Sequence, residues 1–184
     1  IKFYTIAFDQ IHYCVNPITP RYLPNEESVN ELSKVLIENL LEFNESSTNS
    51  TTKFFSDAVE GLMGGMIWKL KTSYPQYCTL PHLIAIFQSM TTKQLVTFVS
   101  SNITSRSMAS AFINGMDSDK QTAGVKSTLA NAFKKIGSQQ LFMALSKDEV
   151  PLNINSKDNP AVICIVNHPK YESAYSPIIA AIMH

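Results

Sequence analysis

The run Pro160-Ala-Val-Ile-Cys-Ile-Val-Asn-His-Pro169 constrains the fold more than any other stretch of the chain. Residues 161–166 are continuously apolar and rich in β-branched side chains, with a proline on either side. A strand with one wet face alternates apolar and polar residues. An unbroken apolar run predicts a strand buried on both faces, as in a parallel sheet. Prolines cannot donate to the ladder, so they fence the strand. Ser176-Pro177 then offers an N-cap and a first-turn proline for an apolar helix over Ile178–Met183. A buried strand, a short loop and an apolar helix are half of a βαβ unit. A chain that stops inside that helix reads as a piece cut from a longer protein.

The upstream chain reads as one strand, then helices. Lys2–Phe8 has strand character, Asp9-Gln10 is a break, and Ile11–Val15 is a second strand candidate. Asn16-Pro17-Ile18-Thr19-Pro20 must be extended or turned, because each proline restricts its predecessor. Asn25 caps a helix whose first turn carries Glu26 and Glu27, with Val29, Leu32, Val35, Leu36 and Leu40 on one face. The polar stretch 44–52 reads as a loop. A helix over 53–71 carries Phe55, Val59, Leu62, Met63, Met66, Ile67 and Leu70 as a wide apolar stripe. Gly61, Gly64 and Gly65 fall inside it. Each costs about 1 kcal/mol against alanine, which predicts close approach by another backbone. Further helices are expected over 82–89, after Thr91 or Thr92, and over 106–116, 117–136 and 139–145, with Gly137 as a stop. After Pro151 the chain is extended. The expected fold is mainly α: a helical bundle over 26–145, inserted between pieces of one α/β sheet at 1–25 and 146–184.

Composition supplies exclusions. Fifteen basic and fifteen acidic side chains leave no net charge, so the whole chain carries no nucleic-acid signature. The distribution is uneven. Residues 1–52 are acidic by four, and 53–135 are basic by five. Arg106, Lys120, Lys126, Lys134 and Lys135 could meet DNA phosphates, or form a solvated face. On the helix after Ser118, the lysines avoid the apolar face of Val125, Leu129 and Phe133, so their heads can reach solvent. Glu31, Glu38 and Glu42 would repel DNA and suit solvent or a protein contact. Three cysteines far apart, Cys14, Cys78 and Cys164, give no zinc spacing and no full disulfide framework; a reducing compartment is expected. The sequons at Asn44, Asn49 and Asn102 read as chance. No signal peptide and no membrane-length apolar run occurs. No phosphate-binding loop, G-x-S-x-G or H-E-x-x-H is present. No catalytic, cofactor or metal residue follows. His168 falls at the carboxyl end of the terminal strand, where α/β ligands gather, but a loop histidine holding a structural hydrogen bond is the preferred reading.

Several short segments carry a family resemblance. They are Asn16-Pro17-Ile18, Phe54-Phe-Ser-Asp-Ala-Val-Glu-Gly-Leu62, Gly124-Val-Lys-Ser-Thr-Leu-Ala-Asn131, and Pro160–Val166 with Tyr175-Ser-Pro-Ile178. In this order they resemble the central region of type IV coupling proteins, the TraG/TraD family of conjugation ATPases, and among them the mobilisation type of conjugative transposons. The resemblance implies an all-α domain inserted into a RecA-like nucleotide-binding domain, of which this chain holds edge pieces only. It implies a parent that binds ATP and magnesium and forms a homohexamer anchored at the cytoplasmic face of the bacterial inner membrane. The partners it implies are DNA, a relaxase or relaxosome, and a type IV secretion channel. The all-α domain would recognise cargo. Walker A is expected before Ile1 and Walker B after His184, so no ATPase residue transfers to a position here. The rival expectations are a stand-alone helical protein-interaction module, and part of another RecA-like motor.

Overall fold

The computed structural model describes residues 1–41, 50–154 and 156–184, with the backbone alone described at 50–52. The far ends of the chain meet in a parallel pair. β1 (Lys2–Ile6) lies beside β2 (Ala161–Ile165), with Lys2 opposite Ala161 and Ile6 opposite Ile165. Between them the described chain is mainly helical: α1 (Glu26–Leu41), α2 (Ser50–Ser73), α3 (Leu80–Ser89), α4 (Thr92–Ser100), α5 (Ile103–Met108), α6 (Ser110–Asn114), α7 (Asp119–Lys135) and α8 (Gln139–Ala144). α9 (Glu172–Met183) follows β2 and packs along α1.

Local chemistry accounts for most helix starts. Asn25 Oδ1 accepts the Ser28 N–H at 3.0 Å. Thr79 caps α3, Asn102 caps α5 and Ser118 caps α7. Thr91 rather than Thr92 caps α4, completing a capping box with Gln94.

α2 is the axis of the helical part, with α1, α4, α5, α6 and α7 packed around it. Ala58, Val59, Leu62, Met63, Met66, Ile67 and Leu70 are buried along it, and Phe55 is partly so. Full burial of a side chain such as Leu, Ile or Met contributes about 1.5–3 kcal/mol, so this one helix anchors much of the core. The glycines let neighbours approach. A Cβ on Gly61 would land on the Met108 carbonyl oxygen; one on Gly65 would stand 2.7 Å from the Ser105 carbonyl oxygen.

Four expectations are corrected. First, residues 50–52 belong to α2 instead of a loop; the rest of that expected loop, with Glu42, Asn44 and Asn49, lies outside the described residues. Second, residues 11–15 form no strand. Cys14 and Val15 make isolated bonds instead, with the Cys14 carbonyl accepting from Glu149 and the Val15 N–H donating to Ala144. Third, the helix expected over 106–116 is split at Ala109 into α5 and α6, which lets the chain bend around the α2 glycines. Fourth, α9 begins at Glu172, so Pro177 is interior and forgoes one helical bond. Burial of Tyr175 against Phe8, ring centroids 5.0 Å apart, offsets that loss.

β2 also differs from a strand buried on both faces. Ile163 and Ile165, with Tyr4 and Ile6 of β1, pack on the core. The opposite face is uncovered: Phe3 is 72% and Val162 is 45% exposed, and Cys164 is exposed. Periodicity alone could not reveal this, because both faces are apolar and only one is covered among the described residues.

The chain enters and leaves the helical part through one neck. Cys14 N–H donates to Glu149 Oε2 at 2.8 Å. Thr19 Oγ1 and Arg21 both reach the Asp148 carboxylate, the latter as an ion pair at 2.8 Å. Leu152 N–H donates to Tyr22 Oη at 2.7 Å. Residues 14–22 and 144–152 are thus stitched together, which brings β1 and β2 side by side.

One carboxyl sits uneasily in the α1–α2 region. Desolvation, then Asp57 and Glu38, push Glu60 above its ordinary value of 4.5; a hydrogen bond from Ser56 and the charge of Lys34 pull the other way. A raised folded value means the native state holds this proton more tightly than the unfolded chain does. The stability so gained is present in acid and is lost as pH rises through the raised value. Glu60→Gln keeps the oxygen that Ser56 donates to. The variant is therefore expected to melt above wild type in neutral buffer, with the difference shrinking in mild acid. Paired thermal melts across that range check the sign.

Candidate functional site

The five basic residues do not gather into one patch. Lys120 and Lys134 share the solvent-facing stripe of α7 with Ser127 and Asn131, all exposed. Fourteen residues of helix put them about 21 Å apart along the axis. Lys120 is flanked by Asp117 and Asp119 in sequence, which dilutes its field. Lys134 and Lys135 lie in the last turn, where they favour the helix dipole; Lys135 is half-buried. Arg106 is exposed on α5, a separate helix. Lys126 behaves differently from the solvent-reaching lysine expected. Its Nζ donates to the Met90 carbonyl at 3.3 Å and stands 5.9 Å from the Phe87 ring centroid. It caps the carbonyl end of α3 and ties α7 to it.

The acidic residues fall on the outer side of α1. Glu31 and Glu38 are exposed, opposite the buried Val29, Leu32, Leu36, Ile37 and Leu40. Glu26 accepts from Thr104 Oγ1 at 3.2 Å, linking α1 to α5.

The segments that carry the family resemblance have packing roles here. Asn16, Pro17 and Ile18 are buried. The Asn16 amide donates to the Cys78 carbonyl at 2.8 Å, while its Oδ1 accepts the Ile18 N–H. The Cys78 thiol donates to the Ile18 carbonyl at 3.2 Å, and burial pushes its pKa up to about 12, so it stays protonated. Gly124 gives room to Phe55: a Cβ there would be 2.9 Å from that ring.

The carboxyl end of the strand pair holds an aromatic ladder. Phe8 follows β1 and is fully buried. Its ring meets Tyr175, which meets Tyr171 at 5.7 Å, which meets His168 at 5.2 Å. The first two rings are buried; Tyr171 is 43% exposed, and His168 is exposed. His168 Nδ1 accepts the Lys170 N–H at 3.3 Å, and the Lys170 ammonium lies 5.6 Å from the Tyr171 centroid. Desolvation, then Asp9 and Tyr171, raise the Tyr175 pKa. Sequence reasoning singled out His168 but missed the tyrosines. The i, i+4 spacing of Tyr171 and Tyr175 was the available signal, since it brings a ring at the helix N-cap against one a turn into α9.

Among the described residues, no group of three or more His, Cys, Asp or Glu could hold a metal ion, and no helix is long and apolar enough to cross a membrane. Compared with models of protein families, with curated proteins and with solved structures, the chain matches none.

Proposed function

We propose that this chain is the cargo-recognition part of a conjugative coupling ATPase: an all-α unit that meets DNA or a relaxosome, carried on two strands of a RecA-like sheet. The observation that carries this reading is the neck. Both connections of the helical unit are stitched together between 14–22 and 144–152, and they lead into adjacent parallel strands. An inserted domain needs its two ends close together in this way. The uncovered apolar face of Phe3, Val162 and Cys164 gives further support, because parallel sheets are ordinarily covered on both faces. In this reading the parent supplies the ATP and magnesium site, the hexamer, the membrane anchor and the route to the secretion channel. Exposed Lys120, Lys134 and Arg106 meet phosphates, and the face of Glu31 and Glu38 meets a protein such as the relaxase.

With two or three phosphates neutralised, the chain alone should bind DNA without sequence preference, at dissociation constants around 10⁻⁴–10⁻⁶ M and a log–log salt slope of about −2 to −3. Hexameric repetition would multiply these contacts by avidity. The test is a salt titration of single-stranded and duplex DNA against wild type and a Lys120→Ala/Lys134→Ala variant. The variant should lose about two from the slope. Equal binding by the two proteins removes α7 as the DNA surface. No binding to either DNA at low salt overturns DNA recognition and leaves the acidic face of α1, tested against a relaxase, as the recognition surface.

A further inference from the structure

We propose that the exposed end of the aromatic ladder, Tyr171 and His168, is a stacking platform for a nucleobase, presented by a single-stranded nucleic acid or a free nucleotide. The proposal is independent of α7 and of its lysines.

Three observations converge on it. The platform lies outside the carboxyl ends of two adjacent parallel strands, the place where α/β sheets hold ligands. Its rings are held in position before any ligand arrives. Phe8 is fully buried and packs on Tyr175, which is 6% exposed and in turn meets Tyr171, and the Lys170 N–H bond to Nδ1 restrains the His168 ring. Stacking on such rings costs little ordering entropy. The ladder also ends in solvent. A ladder serving only the core would bury its last ring, whereas Tyr171 is 43% exposed and His168 is exposed. The Lys170 ammonium lies over the Tyr171 ring; its flexible side chain must swing off that face for a base to stack there, and it is then within reach of a phosphate attached to the base. Glu172, next to Tyr171 in sequence, and Asp9, which follows Phe8 and acts on Tyr175, are exposed acids that oppose phosphate. The binding is therefore expected to depend on the base more than on the backbone. Every base offers a π-face, so sequence preference should be slight.

The test compares a short labelled thymidine oligomer with an abasic oligomer of equal length, and titrates adenosine monophosphate separately while following the His168 ring by NMR. The thymidine oligomer should bind more tightly than the abasic one, with the preference persisting in the Lys120→Ala/Lys134→Ala variant. Tyr171→Ala should weaken base-dependent binding about 5- to 100-fold. Tyr171→Phe, which keeps the ring, should restore it. His168→Ala, at an exposed loop position, gives a second reading if Tyr171→Ala shifts the melting temperature. A His168 shift with the mononucleotide identifies a free nucleotide as sufficient; a response to the oligomer alone identifies a single strand. Equal binding of thymidine and abasic oligomers with no response to the mononucleotide overturns the proposal. So does full base-dependent binding by both folded ring-deletion variants. Loss of the platform with α7 binding intact, or the reverse, separates this inference from the DNA reading of the helical unit.

Discussion

Gly61→Leu should destabilise the protein by about 1–3 kcal/mol, lowering the melting temperature by roughly 2–4 °C for each kcal/mol lost. Two effects compete at this position. Replacing a mid-helix glycine with a better helix former gains about 1 kcal/mol. Against that gain, the first carbon of any side chain meets the Met108 carbonyl oxygen. A backbone oxygen cannot rotate aside as a flexible side chain can, so α5 and α6 must move off α2. That movement also disturbs Phe112 and Ala109, which are buried. Gly65 faces a similar wall, the Ser105 carbonyl, with the Ala109 methyl 3.2 Å from its virtual Cβ. Gly64 is the internal control. Its added carbon would meet Ser33 Oγ at 3.3 Å and Asn30 Oδ1 at 3.6 Å, both side-chain atoms. Gly64→Ala should therefore be near neutral, while Gly61→Ala and Gly65→Ala lose stability. If all three alanine variants gain stability alike, propensity outweighs packing and the close approach of α5 and α6 is wrong.

How much of this was legible beforehand depends on the kind of signal. Helix existence and facing were readable wherever apolar residues recur at helical spacing over a long segment, as in α2 and α7. There the residues expected inside are the residues buried, apart from a partly exposed Phe55. Gly61 and Gly65 announced a backbone contact because their propensity cost has to be offset by something; Gly64, expected to do the same, faces the side chains of Ser33 and Asn30 instead. Short or two-sided signals failed. Ser176-Pro177 is a good helix start in isolation, yet Tyr175 has a buried partner in Phe8, and that contact draws the helix back to Glu172. Residues 11–15 have strand-like composition but find only isolated partners at Ala144 and Glu149. Cys164 was read as buried because its neighbours are apolar; the register places it on the uncovered face.

The candidate sites were less legible than the fold. Charge counting marks a basic segment but not which lysines are engaged. Lys126 was grouped with Lys134 by residue type, whereas its head serves the last carbonyl after α3. The neck was invisible, because its partners are about 130 residues apart in sequence and involve single residues such as Arg21 and Asp148. The aromatic ladder draws Phe8 from the first strand region and Tyr175 from the last helix, so no local pattern could join them.

The account stands on the parallel pairing of the chain's two ends, and one substitution tests that pairing directly. Thr5 lies opposite Cys164 in the register. Adjacent strands are about 4.7–4.9 Å apart, within the roughly 4.4–6.8 Å between the Cα atoms of bridged cysteines. Both side chains point to the uncovered face, so an oxidant can reach them. Thr5→Cys should therefore form an intramolecular bridge to Cys164 under mild oxidation, closing a loop of about 160 residues, which chain-entropy arguments value at about 5 kcal/mol. The oxidised variant should melt roughly 10–20 °C above its reduced form. Cys164→Ser in the same background should abolish both the bridge and the gain. Tyr4→Cys, one residue along and on the opposite face, should not bridge to Cys164. Peptide mapping of the oxidised, dilute protein is the deciding measurement. A single linkage joining the peptides that contain positions 5 and 164 is the result expected. No intramolecular linkage, a linkage to Cys14 instead, or equal bridging from position 4 would contradict the parallel pair, and with it the insertion on which the functional reading rests.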